Sequence, residues 1–235
     1  MTTFSYFSRR RQLEDYFDRT AVEAWTRLTS DAPVSRIRAT VRAGRDRMRS
    51  TLLGWLPADL RGRRILDAGC GTGALAVEAA RRGATVVAVD LSPTLVQLAR
   101  ERAPRDLGNG RIEFHVGDMH ELDPGLGRFD HVVAMDSLIH YPAEDSVRVI
   151  AGLAARAGES MVFTFAPRTA ALAAMHAVGR IFPRGNRAPA IEPVAHQALQ
   201  RRLGAEPGLH GWRGQRTERV MNGFYTSQAM ELVRA

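Results

Sequence analysis

A carboxylate at the end of an apolar run, followed at once by glycines at alternate positions, is the first chemistry legible in this sequence. The segment reads Ile65-Leu66-Asp67-Ala68-Gly69-Cys70-Gly71-Thr72-Gly73. Gly69, Gly71 and Gly73 let the backbone approach a ligand with no Cβ in the way. The spacing Gly69-x-Gly71-x-x-Ala74 also satisfies the dinucleotide fingerprint. Asp67 decides against that reading, because a carboxylate there would repel a pyrophosphate. A nucleoside ligand bearing cations instead of phosphate fits, and S-adenosylmethionine carries an ammonium and a sulfonium. Asp90 closes the next apolar run, 17 residues after Gly73, and is followed by Leu91-Ser92. An acid at that point can take both ribose hydroxyls. After the third run comes Gly117-Asp118-Met119, with Asp118 suited to the adenine amino group and Met119 to the ring face. The fourth run ends in Asp136-Ser137. Four acids at four successive run ends describe one binding edge.

The elements that must carry these residues alternate regularly between positions 64 and 167. Strand-like runs occur at 65–66, 85–89, 112–116, 129–135 and 161–165, rich in Val, Ile and Phe. Helical patterns lie between them at 74–82, 92–102 and 146–157. Ser92 is placed as an N-cap with Pro93 at the first helical position. A further helix is expected over 192–203, then closing strands at 216–220 and 229–233. Strand–helix alternation implies a mostly parallel sheet covered on both faces, an α/β fold with ligands at the carboxyl ends of the strands. Three parts follow: a helical arm over 1–50, a core over 51–167 and 204–235, and an inserted lid over 168–203.

Composition narrows the chemistry further. All 33 basic residues of the 235 are arginine. Without lysine, a Walker-type phosphate loop, a Tyr-x-x-x-Lys reductase site and a pyridoxal-phosphate Schiff base are excluded. The single Cys70 excludes a disulfide framework and a cysteine zinc site, and no protein metal site is indicated. The net charge of +8 is segregated: residues 1–50 carry +5, residues 168–203 carry +5, and the rest nets −2. Two basic attachments over a nearly neutral core suit an anionic ligand or surface. The apolar run at 169–182 is too short to span a bilayer and reads as a lid or interfacial helix. No secretory signal is visible, so a cytoplasmic location is expected. After the fourth strand the chain lacks the paired prolines of nucleic-acid amino methyltransferases, which argues against a nucleic-acid partner.

The strand-end acids and glycine loop together resemble those of class I S-adenosylmethionine-dependent methyltransferases, which implies a Rossmann-like seven-stranded sheet. A closer resemblance rests on longer segments. They are Glu14-Asp15-Tyr16-Phe17-Asp18-Arg19-Thr20 with Trp25, Ser35-Arg36-Ile37-Arg38, and Val41-Arg42-Ala43-Gly44-Arg45. Asp136-Ser137-Leu138-Ile139-His140-Tyr141-Pro142 and Phe163-Thr164-Phe165-Ala166-Pro167-Arg168-Thr169 extend it. These are similar to the magnesium-protoporphyrin IX O-methyltransferases of (bacterio)chlorophyll synthesis. The ending Gly223-Phe224-Tyr225-Thr226-Ser227 to Leu232-Val233 is similar to their purple-bacterial branch.

The resemblance implies methyl transfer to one propionate of magnesium protoporphyrin IX, giving the monomethyl ester and S-adenosylhomocysteine. It points to His140 as the residue that hydrogen-bonds or deprotonates the propionate and to Tyr16 as the one that aligns it. Arg36 and Arg38 are the expected carboxylate clamp. It further implies contact with the porphyrin-carrying subunit of magnesium chelatase and peripheral contact with the photosynthetic membrane. A quinone-type small-molecule O-methyltransferase and a non-catalytic porphyrin carrier are the competing readings.

Overall fold

The computed structural model describes residues 3–16, 18, 35–168 and 191–235, and the alternation expected between 64 and 167 is present throughout. Seven strands form one sheet: β1 (Arg64–Ala68), β2 (Thr85–Asp90), β3 (Arg111–Val116), β4 (Phe129–Ala134), β5 (Ala157–Phe165), β6 (Trp212–Asn222) and β7 (Tyr225–Arg234). Their order is β3-β2-β1-β4-β5-β7-β6. β1 to β5 run parallel, and β7 lies antiparallel between β5 and β6. The chain order reverses between β1 and β4, where the two strand ends leave a crevice.

Six α-helices are found among the described residues: α1 (Thr3–Asp15), α2 (Arg36–Trp55), α3 (Ala74–Arg81), α4 (Pro93–Arg102), α5 (Ala143–Ala154) and α6 (His196–Ala205). Ser92 caps α4 by accepting from Leu95 N–H, with Pro93 opening the helix, as its sequence requires. α5 starts three residues before the expected 146, because Pro142 sits at its N-cap and Glu144 and Asp145 favour the positive end of its dipole. The helix expected from 192 begins only at His196, since Val194 donates its N–H to the Ala166 carbonyl and accepts from Arg168 N–H, which holds that stretch extended. The closing strands are longer than their apolar centres. β6 is an edge strand whose polar outer residues conceal its length.

Two apolar clusters pack on opposite faces of the sheet. One contains Met48 and Leu52 of α2 with Ala76, Val86, Val162 and Tyr225. The other contains Tyr6 and Leu13 of α1 with Val132, Tyr141, Ile150, Phe163 and Leu199. Helix α2 crosses residue 50 unbroken, so the boundary drawn there falls within an element seated on the sheet. Truncating fully buried Leu52 to Ala costs about 2–5 kcal/mol by the usual cavity scale. The apolar run at 169–182 lies outside the described residues. No helix among the described residues is long and apolar enough to cross a membrane.

Candidate active site

The ends of β1, β2 and β4 converge on a cavity of about 620 Å³. At its floor, Gly69 (φ 82°) turns the chain so tightly against β4 that a Cβ there would lie 2.4 Å from the Cβ of Ser137. Ser137 Oγ donates to the Ala68 carbonyl at 2.9 Å and ties the two strand ends together. The Asp90 carboxylate braces the loop, accepting from Gly71 N–H at 2.8 Å and Ser92 N–H at 3.0 Å. Two backbone donors leave that carboxylate with acceptor capacity for the hydroxyls of a ribose.

Asp67 is the most telling group. It is 1% exposed, and its Oδ2 has no hydrogen-bond partner. Burial, then the neighbouring Asp90, pushes its carboxyl from 3.8 up to about 7, against a backbone donor from Ala76. A buried carboxylate oxygen beside a cavity, next to a second acid, is costly unless a cation meets it. The chemistry of these groups suits S-adenosylmethionine: an unpartnered buried carboxylate oxygen is matched to a cation, and a carboxylate with spare acceptor capacity to sugar hydroxyls. Leu91, Met119, Asp136 and Ser137 also line the cavity.

Two expected cofactor contacts lie elsewhere. Gly73 opens α3 in the left-handed region and abuts Phe114 and Ala99, so its missing side chain serves packing. Asp118 is not among the cavity-lining residues. Its Oδ1 accepts from Tyr6 Oη at 2.6 Å and His120 N–H at 2.8 Å, while Arg10 lies 3.1 Å from Oδ2. Helix α1 therefore sits on the strand-end acid that sequence spacing assigned to adenine. Tyr6 also stacks on Tyr141, with ring centroids 4.9 Å apart, and Leu13 reaches the cavity wall. Asp18 accepts from Ser92 Oγ and Thr94 N–H, each at 3.1 Å, at the start of α4.

His140 and Tyr16 line the same cavity, one from the β4–α5 turn and one from the end of the N-terminal helix. Burial raises the Tyr16 phenol, which keeps its proton at working pH. Arg36 and Arg38, by contrast, are exposed on the first turn of α2 and stand off the cavity. The arginines that reach it are Arg42, Arg45 and Arg49, about one to three turns further along. Their spacing of three and four residues, in phase with buried Met48 and Leu52, is the sequence signal that could have selected them. Arg49 pairs with Asp46 at 3.0 Å and Arg45 with Asp136 at 2.7 Å. The cavity is thus acidic at the strand ends and basic along α2.

Comparison with known proteins agrees with this geometry. A family model described as Magnesium-protoporphyrin IX methyltransferase C-terminus matches residues 134–234, and one described as Methyltransferase domain matches residues 65–157. The magnesium-protoporphyrin O-methyltransferase of Rhodobacter capsulatus is 51% identical over 96% of this chain and 97% of its own length. A crystal structure of magnesium protoporphyrin IX methyltransferase from Synechocystis with bound SAH superposes with a TM-score of 0.84 at 30% identity. That match covers 96% of this chain and 100% of the other. A ubiquinone biosynthesis O-methyltransferase of Xanthomonas oryzae pv. oryzae is 34% identical, but over only 54% of this chain and 55% of its own.

Proposed function

The chain belongs to the magnesium-protoporphyrin O-methyltransferase family, and we propose how its residues divide the work of that reaction. It is an S-adenosylmethionine-dependent enzyme of (bacterio)chlorophyll biosynthesis that methylates a propionate carboxylate of magnesium protoporphyrin IX. The observation that carries the division of labour is the polarity of the cavity, with unpartnered Asp67 Oδ2 at one end and Arg42 and Arg49 along the other.

S-adenosylmethionine supplies an electrophilic methyl group on a sulfonium. Asp67 holds its ammonium end, Asp90 its ribose, and Leu91 and Met119 its base. A propionate ionises near the ordinary glutamate value of ~4.3 and needs no strong base to act as a nucleophile. The residues around it therefore serve mainly to align it and exclude water. Tyr16, protonated, donates to the carboxylate; His140 hydrogen-bonds it and takes the proton of any protonated fraction. Arg42 and Arg49 replace Arg36 and Arg38 as the carboxylate-facing cations, holding the propionate that is not methylated. Helix α1, latched through Tyr6 to Asp118, brings Leu13 and Glu14 to the cavity and acts as part of its cover.

The surface beside the mouth is also suited to delivery of an apolar, anionic substrate. Ile37 (54% exposed) and Phe224 (53% exposed) flank the Thr40–Gly223 contact, with exposed Arg36 and Arg38 on the same helix turn. We assign this corner to contact with the chelatase subunit that carries the porphyrin or with the photosynthetic membrane on the cytoplasmic side. Mass spectrometry of magnesium protoporphyrin incubated with protein and S-adenosylmethionine tests the activity. The expected gain is one methyl group; no gain, or a gain of two, rejects the assignment of a monomethyl ester.

A further inference from the structure

Asp136 stands where a cofactor ligand was expected, yet its carboxylate is already filled. Tyr225 Oη lies 3.1 and 3.0 Å from its two oxygens, Ser227 Oγ donates to Oδ1 at 3.0 Å, and Thr164 Oγ1 donates to Oδ1 at 3.1 Å. Arg45 Nη1 donates to Oδ2 at 2.7 Å. Four donor groups converge on a side chain that is 4% exposed, close to the full acceptor capacity of a carboxylate. The backbone is equally committed. Asp136 N–H donates to Thr164 Oγ1 at 2.7 Å, and its φ of 54° is the one positive value at a non-glycine among the described residues. A left-handed aspartate persists only where its surroundings over-determine it.

The elements joined at this point are those that shape the substrate half of the cavity. Arg45 belongs to the arginine face of α2, and α2 seats on Tyr225 through Gly44, where a Cβ would lie 2.6 Å from the ring. Tyr225 and Ser227 lie at the start of β7 and line the wall, and Thr164 is the penultimate residue of β5. Ser137, the next residue, packs on Gly69 of the donor loop, and His140 follows one turn later. Burial, then the Asp136 charge, raises the Tyr225 phenol, so it remains a donor at any working pH.

We propose that Asp136 is a positioning residue: it registers the arginine face of α2 and the start of β7 against the turn that carries His140. It contacts neither cofactor nor porphyrin. This rests on the reaction assigned above, and turnover of magnesium protoporphyrin by the unaltered protein reports on that reaction separately.

The test compares Asp136→Asn, Arg45→Gln and the double variant with the unaltered protein. An amide at 136 would offer N–H to donors that need an acceptor, so the join opens. S-adenosylmethionine affinity by calorimetry should stay within twofold in every variant. The kcat for magnesium protoporphyrin should fall about 10- to 100-fold in Asp136→Asn, the scale of a misplacement near 1 Å. The double variant, in which two amides can pair, should recover at least fivefold over Asp136→Asn alone. A kcat within threefold of normal overturns the proposal, as does absence of recovery. A tenfold loss of cofactor affinity overturns it in favour of direct cofactor contact. Tyr225→Phe removes one donor and keeps the Arg45 pair. It decides the matter if Asp136→Asn does not fold: a three- to tenfold lower kcat at unchanged cofactor affinity supports the join, and an unchanged kcat overturns it.

Discussion

Asp67→Asn is the perturbation with the most direct reading, because one unpartnered oxygen and one shifted carboxyl define it. In the ligand-free protein, burial and Asp90 lift the Asp67 carboxyl from 3.8 to about 7, equivalent to about 4 kcal/mol against ionisation in the fold. The folded state then binds more protons than the unfolded chain between pH 4 and 7. Its contribution to stability is complete below about pH 3.8 and is lost as pH rises through 7. Asp67→Asn removes that loss. Its ligand-free melting temperature should exceed that of the unaltered protein already at pH 5, and by a wider margin at pH 8. Cofactor binding should move the other way. An ammonium beside the carboxylate favours ionised Asp67, so affinity of the unaltered protein should rise between pH 5.5 and 7.5, with proton release in calorimetry. In Asp67→Asn that slope should vanish. Loss of a charge-assisted bond of about 1.5–3 kcal/mol should weaken binding about 10- to 150-fold at pH 8. Thermal melts with and without cofactor report both effects together. A variant that binds S-adenosylmethionine within twofold of normal at pH 8 refutes the placement of the cofactor cation at Asp67.

Asp90→Ala should weaken the cofactor by about 1.5–3 kcal/mol and loosen the Gly71 turn, since one carboxylate braces the loop and is the group proposed to meet the ribose; unchanged calorimetric affinity removes it from the site. His140→Ala should lower turnover about 10²–10⁴-fold with cofactor affinity unmoved, and a loss of only a few-fold makes His140 structural. Arg42→Gln should raise KM for magnesium protoporphyrin while leaving KM for a substrate with its second propionate already esterified unchanged. Equal effects on both substrates exclude a clamp on the spared carboxylate. Tyr6→Phe should loosen α1 on Asp118, seen as faster proteolysis before residue 35 in the ligand-free protein; an unaltered cleavage rate means the hydroxyl adds nothing to the latch beyond stacking on Tyr141 and the Arg10–Asp118 pair.

Periodicity and punctuation made most of the fold readable. Buried parallel strands such as β1 and β2 must be continuously apolar, and Asp67 and Asp90 stand out at their ends because no core function explains them. The glycine loop was legible for the same reason: Gly69 is required by the close approach of Ser137, and Asp67 excludes a phosphate ligand. These are local properties of a strand and the turn after it, and the linear order carries them.

The division of labour among like residues was not local. Asp118 and Asp136 end strands just as Asp67 and Asp90 do, yet Tyr6 and Arg10 occupy the first, and Arg45 and Tyr225 the second. Their partners come from the N-terminal helix and the last hairpin, whose docking depends on long-range packing. The arginines tell the same story. In sequence, Arg36, Arg38, Arg42, Arg45 and Arg49 form one basic stretch. Only the docking of α2, through Gly44 on Tyr225, Met48 and Leu52 in the core and Arg45 on Asp136, sets its rotation, turning Arg42, Arg45 and Arg49 to the cavity and leaving Arg36 and Arg38 in solvent. A helix declares its apolar stripe in its sequence, but the direction of its polar residues is fixed by what that stripe packs against.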